Sequence, residues 1–231
     1  MTAETLPATD AAPATLSLRL REGTREVMLK IQAFRPEHEQ AETTGFVEKL
    51  MGGELDVAAY TDLAAQQFAI YGALEQASAQ IRDDAQGATL VFDELTRTPS
   101  IEKDLAFLVG PDWATEIRIL PATEAYVARL LEVGTSLSAY AAHAYTRYLG
   151  DLSGGQIIKR MMERHYGLGP DGLAFYTFDE IPKAKPFKDV YRERLDSLDL
   201  TDEQLAETVE EAKLAFRLNS ALFAELGAVH C

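Results

Sequence analysis

Three glycines fall inside a stretch that otherwise reads as one long helix. The run RYLGDLSGG (147–155) sits within residues 136–166, which are amphipathic on both sides of it. A helix-interior glycine gives up on the order of 1 kcal/mol relative to alanine, so Gly150, Gly154 and Gly155 together forgo roughly 3 kcal/mol. One use for that sacrifice is a kink or a close approach of two helices. Another is a ligand. Arg147, Gly150, Asp151, Gly154 and Gly155 follow spacings of three and four, which places them on a common helical face. A bare backbone beside one carboxylate, with Arg147 one turn away, suits a large flat molecule lying against the helix with a polar network at its edge.

The rest of the chain shows many helical periods and no convincing strand alternation, so the expected class is all-α. Residues 55–81 place Ala59, Leu63, Phe68, Tyr71 and Leu74 at helical spacings. Pro99 and Pro111 break the chain into shorter helices, and Pro121 is suited to the first turn of another. Thr201 and Gln204 form a capping box for a last long helix, with Gly227 expected as its C-cap. Without repeats or interior linkers, one helical domain is expected over 15–227. Residues 1–14 read as a disordered tail and 228–231 as a short end.

Charge narrows the function. The chain has 231 residues and is 47% hydrophobic, enough for a sizeable core. Its 22 Lys+Arg against 37 Asp+Glu leave a net charge of -15, which argues against binding nucleic acid or an anionic membrane. No apolar run reaches the ~18 residues needed to span a bilayer. The lone Cys231 excludes an internal disulfide, a CxxC metal site and a CxxCH haem attachment. A soluble, cytoplasmic, monomeric protein with small-molecule chemistry is the expectation.

Several longer motifs resemble the haem oxygenase family: HAYTRYLGDLSGGQIIKRM (143–161), FYTF (175–178), FKDVYRERLDSL (187–198), EEAKLAFRLNSALFAEL (210–226), and HEQAE (38–42) followed by GFVEKLMGGEL and YGALEQ. The resemblance covers roughly residues 16 to 227 and is weakest between about 83 and 120. It implies a single-domain multi-helix fold in which haem b, both substrate and cofactor, lies between a proximal helix and a kinked distal helix. His38 is then the axial iron ligand, with Glu42 in its hydrogen-bonded surroundings. HExxE by itself lacks the second histidine of a zincin and is a poor metal signal.

The same resemblance assigns the distal side. O2 and an external electron donor, such as a ferredoxin or its reductase, drive oxidation of the porphyrin's own meso carbon to biliverdin, carbon monoxide and ferrous iron. A histidine ligand, unlike a thiolate, gives little push toward splitting the O–O bond, so distal hydrogen bonding must direct the chemistry. Asp151 does so through ordered water, supported by Arg147, Tyr71 and Asn219. Gly150, Ser153, Gly154 and Gly155 contact the ring. Lys188, Arg192, Tyr145 and Arg21 match the propionate side. Residues 183–194 carry five Lys/Arg against two acids, a local exception in an acidic chain. Lys183 and Lys185, with Lys159 and Arg160, are a solvated basic face or a docking patch for an acidic electron donor. Phe216 and Phe223 line the pocket or simply fill core. His143 matches a structural histidine of the family, and His165 sits near a helix end. A haem storage or delivery protein on the same fold, or a non-haem helical enzyme sharing it, are the rival readings. Loss of the Soret band under reductant and O2 separates the first of these from catalysis.

One departure from the family concerns the proximal side. There a segment like LREGTREV (20–27) runs directly into the histidine, whereas here Met28 to Glu37 intervene. Ten helical residues rotate the downstream face by about 280° and advance it about 15 Å, so an unbroken helix cannot keep both flanks in family register. Pro36 disfavours helix at Arg35, which predicts a break near 33–37 with His38 just after it. Met28, which takes the histidine's place when counted from the N-terminal side, is a rival ligand. Arg21 is left in doubt.

Overall fold

The computed structural model describes residues 14–33 and 39–231, with the side chains of 26–44 outside the description. The described helices are α1 (Leu16–Ala33), α2 (Glu39–Gly52), α3 (Val57–Ile81), α4 (Thr98–Leu108), α5 (Trp113–Glu116), α6 (Pro121–Val133), α7 (Leu137–Gly150), α8 (Gln156–Tyr166), α9 (Ala184–Asp196) and α10 (Asp202–His230). No strand occurs among the described residues, as an all-α class requires. The expected tail, His38 and the break expected before it fall largely or wholly outside the described residues, as do the side chains of Met28 and Glu42.

Local chemistry sets the helix starts. The Asp56 carboxylate accepts from Ala59 N at 3.1 Å at the head of α3. Pro121 opens α6, and Pro99 lies in the first turn of α4. At α10 the capping box is formed in both directions: Thr201 Oγ1 accepts from Gln204 N at 3.2 Å, and Thr201 N donates to Gln204 Oε1 at 2.9 Å.

The end of α10 departs from expectation. Gly227 is not its C-cap; it is buried within the helix, which runs on to His230. A C-capping glycine needs a left-handed backbone, and Gly227 does not have one. Instead His230 Nε2 meets Asp62 Oδ2 at 2.8 Å, tying the last turn to α3. The helical body therefore extends past 227 into the segment expected as a tail.

Helix α10 is the central element, packing along α7, α2, α1 and α6, while α3 packs against α6, α4 and α7. The α2 helix is docked by Phe46, fully buried, whose ring stacks on Phe223 of α10 at 6.4 Å and lies 6.2 Å from the His230 ring. Tyr166 of α8 donates to Leu50 O at 2.9 Å. Gly53, with φ of 74°, ends α2 where the His165 ring passes so close that a Cβ would lie 2.8 Å from it. On the opposite flank α1 meets α9 through Asp196, which accepts from Ser17 N at 2.6 Å and Ser17 Oγ at 2.7 Å. Because the α10 capping box is exposed and local, Thr201→Ala is expected to cost about 1 kcal/mol, read as a lower urea midpoint with an unchanged slope.

Candidate active site at the bend of the glycine helix

The α7 and α8 helices are one helix interrupted by a π turn over Asp151–Gly155. Such turns widen the helix locally and are frequent at functional sites. Ser153 Oγ donates back to Leu149 O at 2.8 Å within the turn.

The glycines that the sequence places on one broad face have different surroundings. A Cβ at Gly150 or Gly154 would meet nothing within 4 Å, and both are exposed. At Gly155 a Cβ would lie 3.0 Å from the Tyr176 ring. Gly155 is therefore a close-packing residue against the chain's own Tyr176, whereas Gly150 and Gly154 present bare backbone outward. The Gly155 Cβ direction lies about 100° around the axis from that of its neighbour Gly154, on the core side of the turn.

The sequence expects a polar network here, and the structure brings its four members together. The Tyr71 hydroxyl, on α3, donates to Asp151 Oδ2. Arg147 Nη1 donates to Asn219 Oδ1 of α10 at 2.8 Å. The Arg147 guanidinium also lies over the Tyr71 ring, 4.9 Å from its centre. Tyr71 thus stands between Arg147 and Asp151. Burial pushes the Asp151 carboxyl up to about 6, against the opposing pull of Arg147, the Tyr71 hydrogen bond and Arg97. Burial likewise raises the Tyr71 phenol. Burial opposes the charge of Arg147, but Tyr71 and Asp151 beside it hold its pKa above the ordinary value. Arg147 Nε is buried without a partner.

Behind this network stand groups that sequence reasoning did not single out. Glu75 Oε1 accepts from Arg97 N at 2.5 Å and Thr98 N at 3.0 Å. Arg97 Nη1 donates to Phe175 O at 3.3 Å and Thr177 O at 2.8 Å. Asp104 accepts from Ala174 N and Phe175 N. The available signals were YGALEQ, which contains Glu75, and FYTF, whose turn Arg97 and Asp104 bind.

A cationic side lies across the bend. Lys188 Nζ on α9 is 2.8 Å from Ser153 Oγ. Arg192 pairs with Asp189 at 3.0 Å. Burial raises the half-buried Tyr145 phenol, while Arg192 and Arg21 are near enough to pull it down. These residues therefore converge. Phe223 belongs to the edge of the core through Phe46, whereas Phe216 is half-buried outside it. His143 is fully buried, with Nε2 2.9 Å from Glu211 Oε1 and Nδ1 3.3 Å from the Tyr126 hydroxyl, an arrangement that ties α7 to α10 and α6.

The glycines give a test that separates ligand contact from packing. Gly154→Ala is expected to leave the ligand-free fold unchanged or more stable by up to ~1 kcal/mol, while weakening haem binding. Gly155→Ala forces a methyl against a ring fixed in the core and is expected to lose roughly 1–3 kcal/mol. Denaturant unfolding without ligand, followed by haem titration, measures both.

Comparison with known proteins places the whole chain. The family model described as "Heme oxygenase" matches residues 14–225. A heme oxygenase of Rhodella violacea is 40% identical over 213 residues, covering 91% of this chain and 86% of that protein. Heme oxygenase 1 of Homo sapiens is 41% identical over 224 residues, covering 95% of this chain and 74% of that protein. The crystal structure of heme oxygenase-1 from the cyanobacterium Synechocystis, in complex with heme, superposes with a TM-score of 0.82 at 36% identity, covering 92% of each chain. With a family match across nearly the whole described chain, and relatives this similar over most of their own lengths, the chain belongs to the haem oxygenase family.

Proposed function

We propose that haem is bound and oxidatively cleaved at this bend, giving biliverdin, carbon monoxide and ferrous iron at the expense of O2 and an external reductant. The observation that carries the reading is the pairing of bare backbone at Gly150 and Gly154 with the partly buried Tyr71–Asp151 and Arg147–Asn219 bonds beside it. The site fits a large flat anionic ring. Two glycines leave the helix face open, Arg147 keeps an unpartnered buried N–H, and cations gather on one side.

Haem supplies the iron that takes up O2 and the meso carbon that is oxidised. The chain supplies the surroundings. Gly150 and Gly154 let the ring approach the helix, with Ser153 at its edge. Lys188, Arg192, Arg21 and Tyr145 hold the propionates, and Phe216 with Phe223 closes the wall. Asp151 Oδ2 is occupied by Tyr71, which leaves Oδ1 of the ionised carboxylate to accept from an ordered water and orient it toward the haem. Arg147, fixed by Asn219, stabilises the ionised carboxylate. His38 would hold the haem iron, with Glu42 four residues on in the sequence, since HEQAE and everything after it stay in family register. All these groups come from one chain, so a monomer is a complete catalytic unit.

Electrons enter from an acidic donor such as a ferredoxin, docking on exposed Arg160, Lys183 and Lys185. Lys159 is turned inward to Thr177 Oγ1 at 2.8 Å and contributes less. Among the described residues no helix is long and apolar enough to cross a membrane.

Asp151→Ala is expected to bind haem normally but to form biliverdin roughly 100-fold more slowly; wild-type yield would remove Asp151 from the mechanism. Because the carboxylate is the acceptor that does the work, the wild-type rate should fall as pH drops through about 6. Separately, His38→Ala should abolish the axial-ligand signature in the ferric haem spectrum. Its retention would transfer the assignment to Met28.

A further inference from the structure

The FYTF segment has no part in the chemistry above, yet it is held by more hydrogen bonds than its length demands. Its short turn, 174–177, receives Asp104 from α4, Arg97 from the head of α4, and Gln156 and Lys159 from α8. Asp104 is 1% exposed and spends both carboxylate oxygens on backbone: Oδ1 accepts from Ala174 N at 2.7 Å and Oδ2 from Phe175 N at 2.8 Å. Gln156 Nε2 donates to Tyr176 O at 2.8 Å, and Lys159 Nζ to Thr177 Oγ1 at 2.8 Å.

What the clamped turn does is press two rings into the site. The Phe175 ring meets Tyr71 edge-on, with centres 5.2 Å apart and planes at 69°. The Tyr176 ring fills the space beside Gly155, on the same turn whose Asp151 Cβ lies 3.7 Å from the Gly155 Cβ position. One ring backs the donor and the other backs the acceptor of the Tyr71–Asp151 hydrogen bond. A buried acid that uses both oxygens on two consecutive N–H groups fixes that turn in one place and orientation.

We infer that Asp104 is a positioning residue for the distal carboxylate: through the 174–177 turn it sets Phe175 against Tyr71 and Tyr176 against Gly155, and so holds the Tyr71 hydroxyl on Asp151. This rests on the reading of Asp151 as the distal carboxylate only for its catalytic meaning; the coupling itself is a property of the haem-free chain.

The coupling has a readout that stability alone does not move. Tyr71 donates to the ionised form of Asp151, and so do the fields of Arg147 and Arg97 favour that form. Loosening the Tyr71 bond therefore raises the Asp151 titration. In haem-free protein carrying 13C-labelled aspartate, Asp104→Asn is expected to raise the Asp151 midpoint from about 6 by about half a unit or more, with Asp151→Asn identifying its resonance. Ile101→Val, a buried change on the same helix, serves as the control and should leave the midpoint in place. Should Asp104→Asn fail to fold, Phe175→Leu keeps the backbone bonds to Asp104, removes only the ring edge on Tyr71, and should shift the midpoint in the same direction. An unchanged or lowered midpoint in the variant used, or an equal rise in Ile101→Val, overturns the inference. Failure of Asp151→Ala to slow biliverdin formation would instead overturn the catalytic reading and leave this one standing.

Discussion

A carboxylate drawn largely out of water at the bend of a helix is the constraint around which this molecule is arranged. Burial alone would leave Asp151 neutral well above its ordinary pKa; Arg147, Tyr71 and Arg97 bring it back to about 6. Each of these comes from a different place: Asp151 from the π turn, Arg147 from α7, Tyr71 from α3 and Arg97 from the head of α4. Their convergence requires three helices and a loop to agree in register, so the fold's precision is focused on this one acid.

Register between α7 and α10 is set by two polar rungs. His143 meets Glu211, and one turn on along α7 and two along α10, Arg147 meets Asn219. Arg129 of α6 adds a two-pronged contact to Glu211, with Nε at 2.9 Å and Nη2 at 2.7 Å. Burial opposes ionisation of Glu211, but the bonds from His143 and Arg129 outweigh it and bring its pKa down to about 2. A charge so firmly kept pins α10 against α7 and α6 at one height. The same helix then delivers Asn219 to Arg147 and Phe223 to Phe46. A slip of one turn would lose all of these contacts together.

Much of the fold was legible because its signals are local. Pro121 and the Thr201–Gln204 box act within a single turn, so their residues alone locate the helix starts. Gly227 was misread as a cap because a glycine's backbone conformation is decided by what happens beyond it, here the contact of His230 with Asp62, 168 residues away. The polar site was legible through the motif that contains it, but the sorting of its glycines was not. Gly154 and Gly155 are neighbours in sequence and so lie about 100° apart around the helix axis, and which of the two meets another side chain is decided by Tyr176, brought beside Gly155 from elsewhere in the fold. Asp104 and Arg97 lay in the region of weakest family resemblance, with partners at separations of 70 residues or more. No periodicity or motif connects residues that far apart.

Two aspartates whose carboxyls desolvation raises to about 6 differ in the disposition of their oxygens. Asp104 gives both oxygens to backbone N–H groups of consecutive residues and has no oxygen left over for a substrate. Its desolvation is offset locally, and its effect passes only through the turn it fixes. Asp151 gives one oxygen to a phenol, and among the described residues the other has no protein partner. That leaves an acceptor at the outward bend, next to the bare backbone of Gly150 and Gly154, where a ligand's own chemistry can use it. The elevated pKa marks both residues alike, so the difference between them lies in the uncommitted oxygen, on which the proposed role of Asp151 rests.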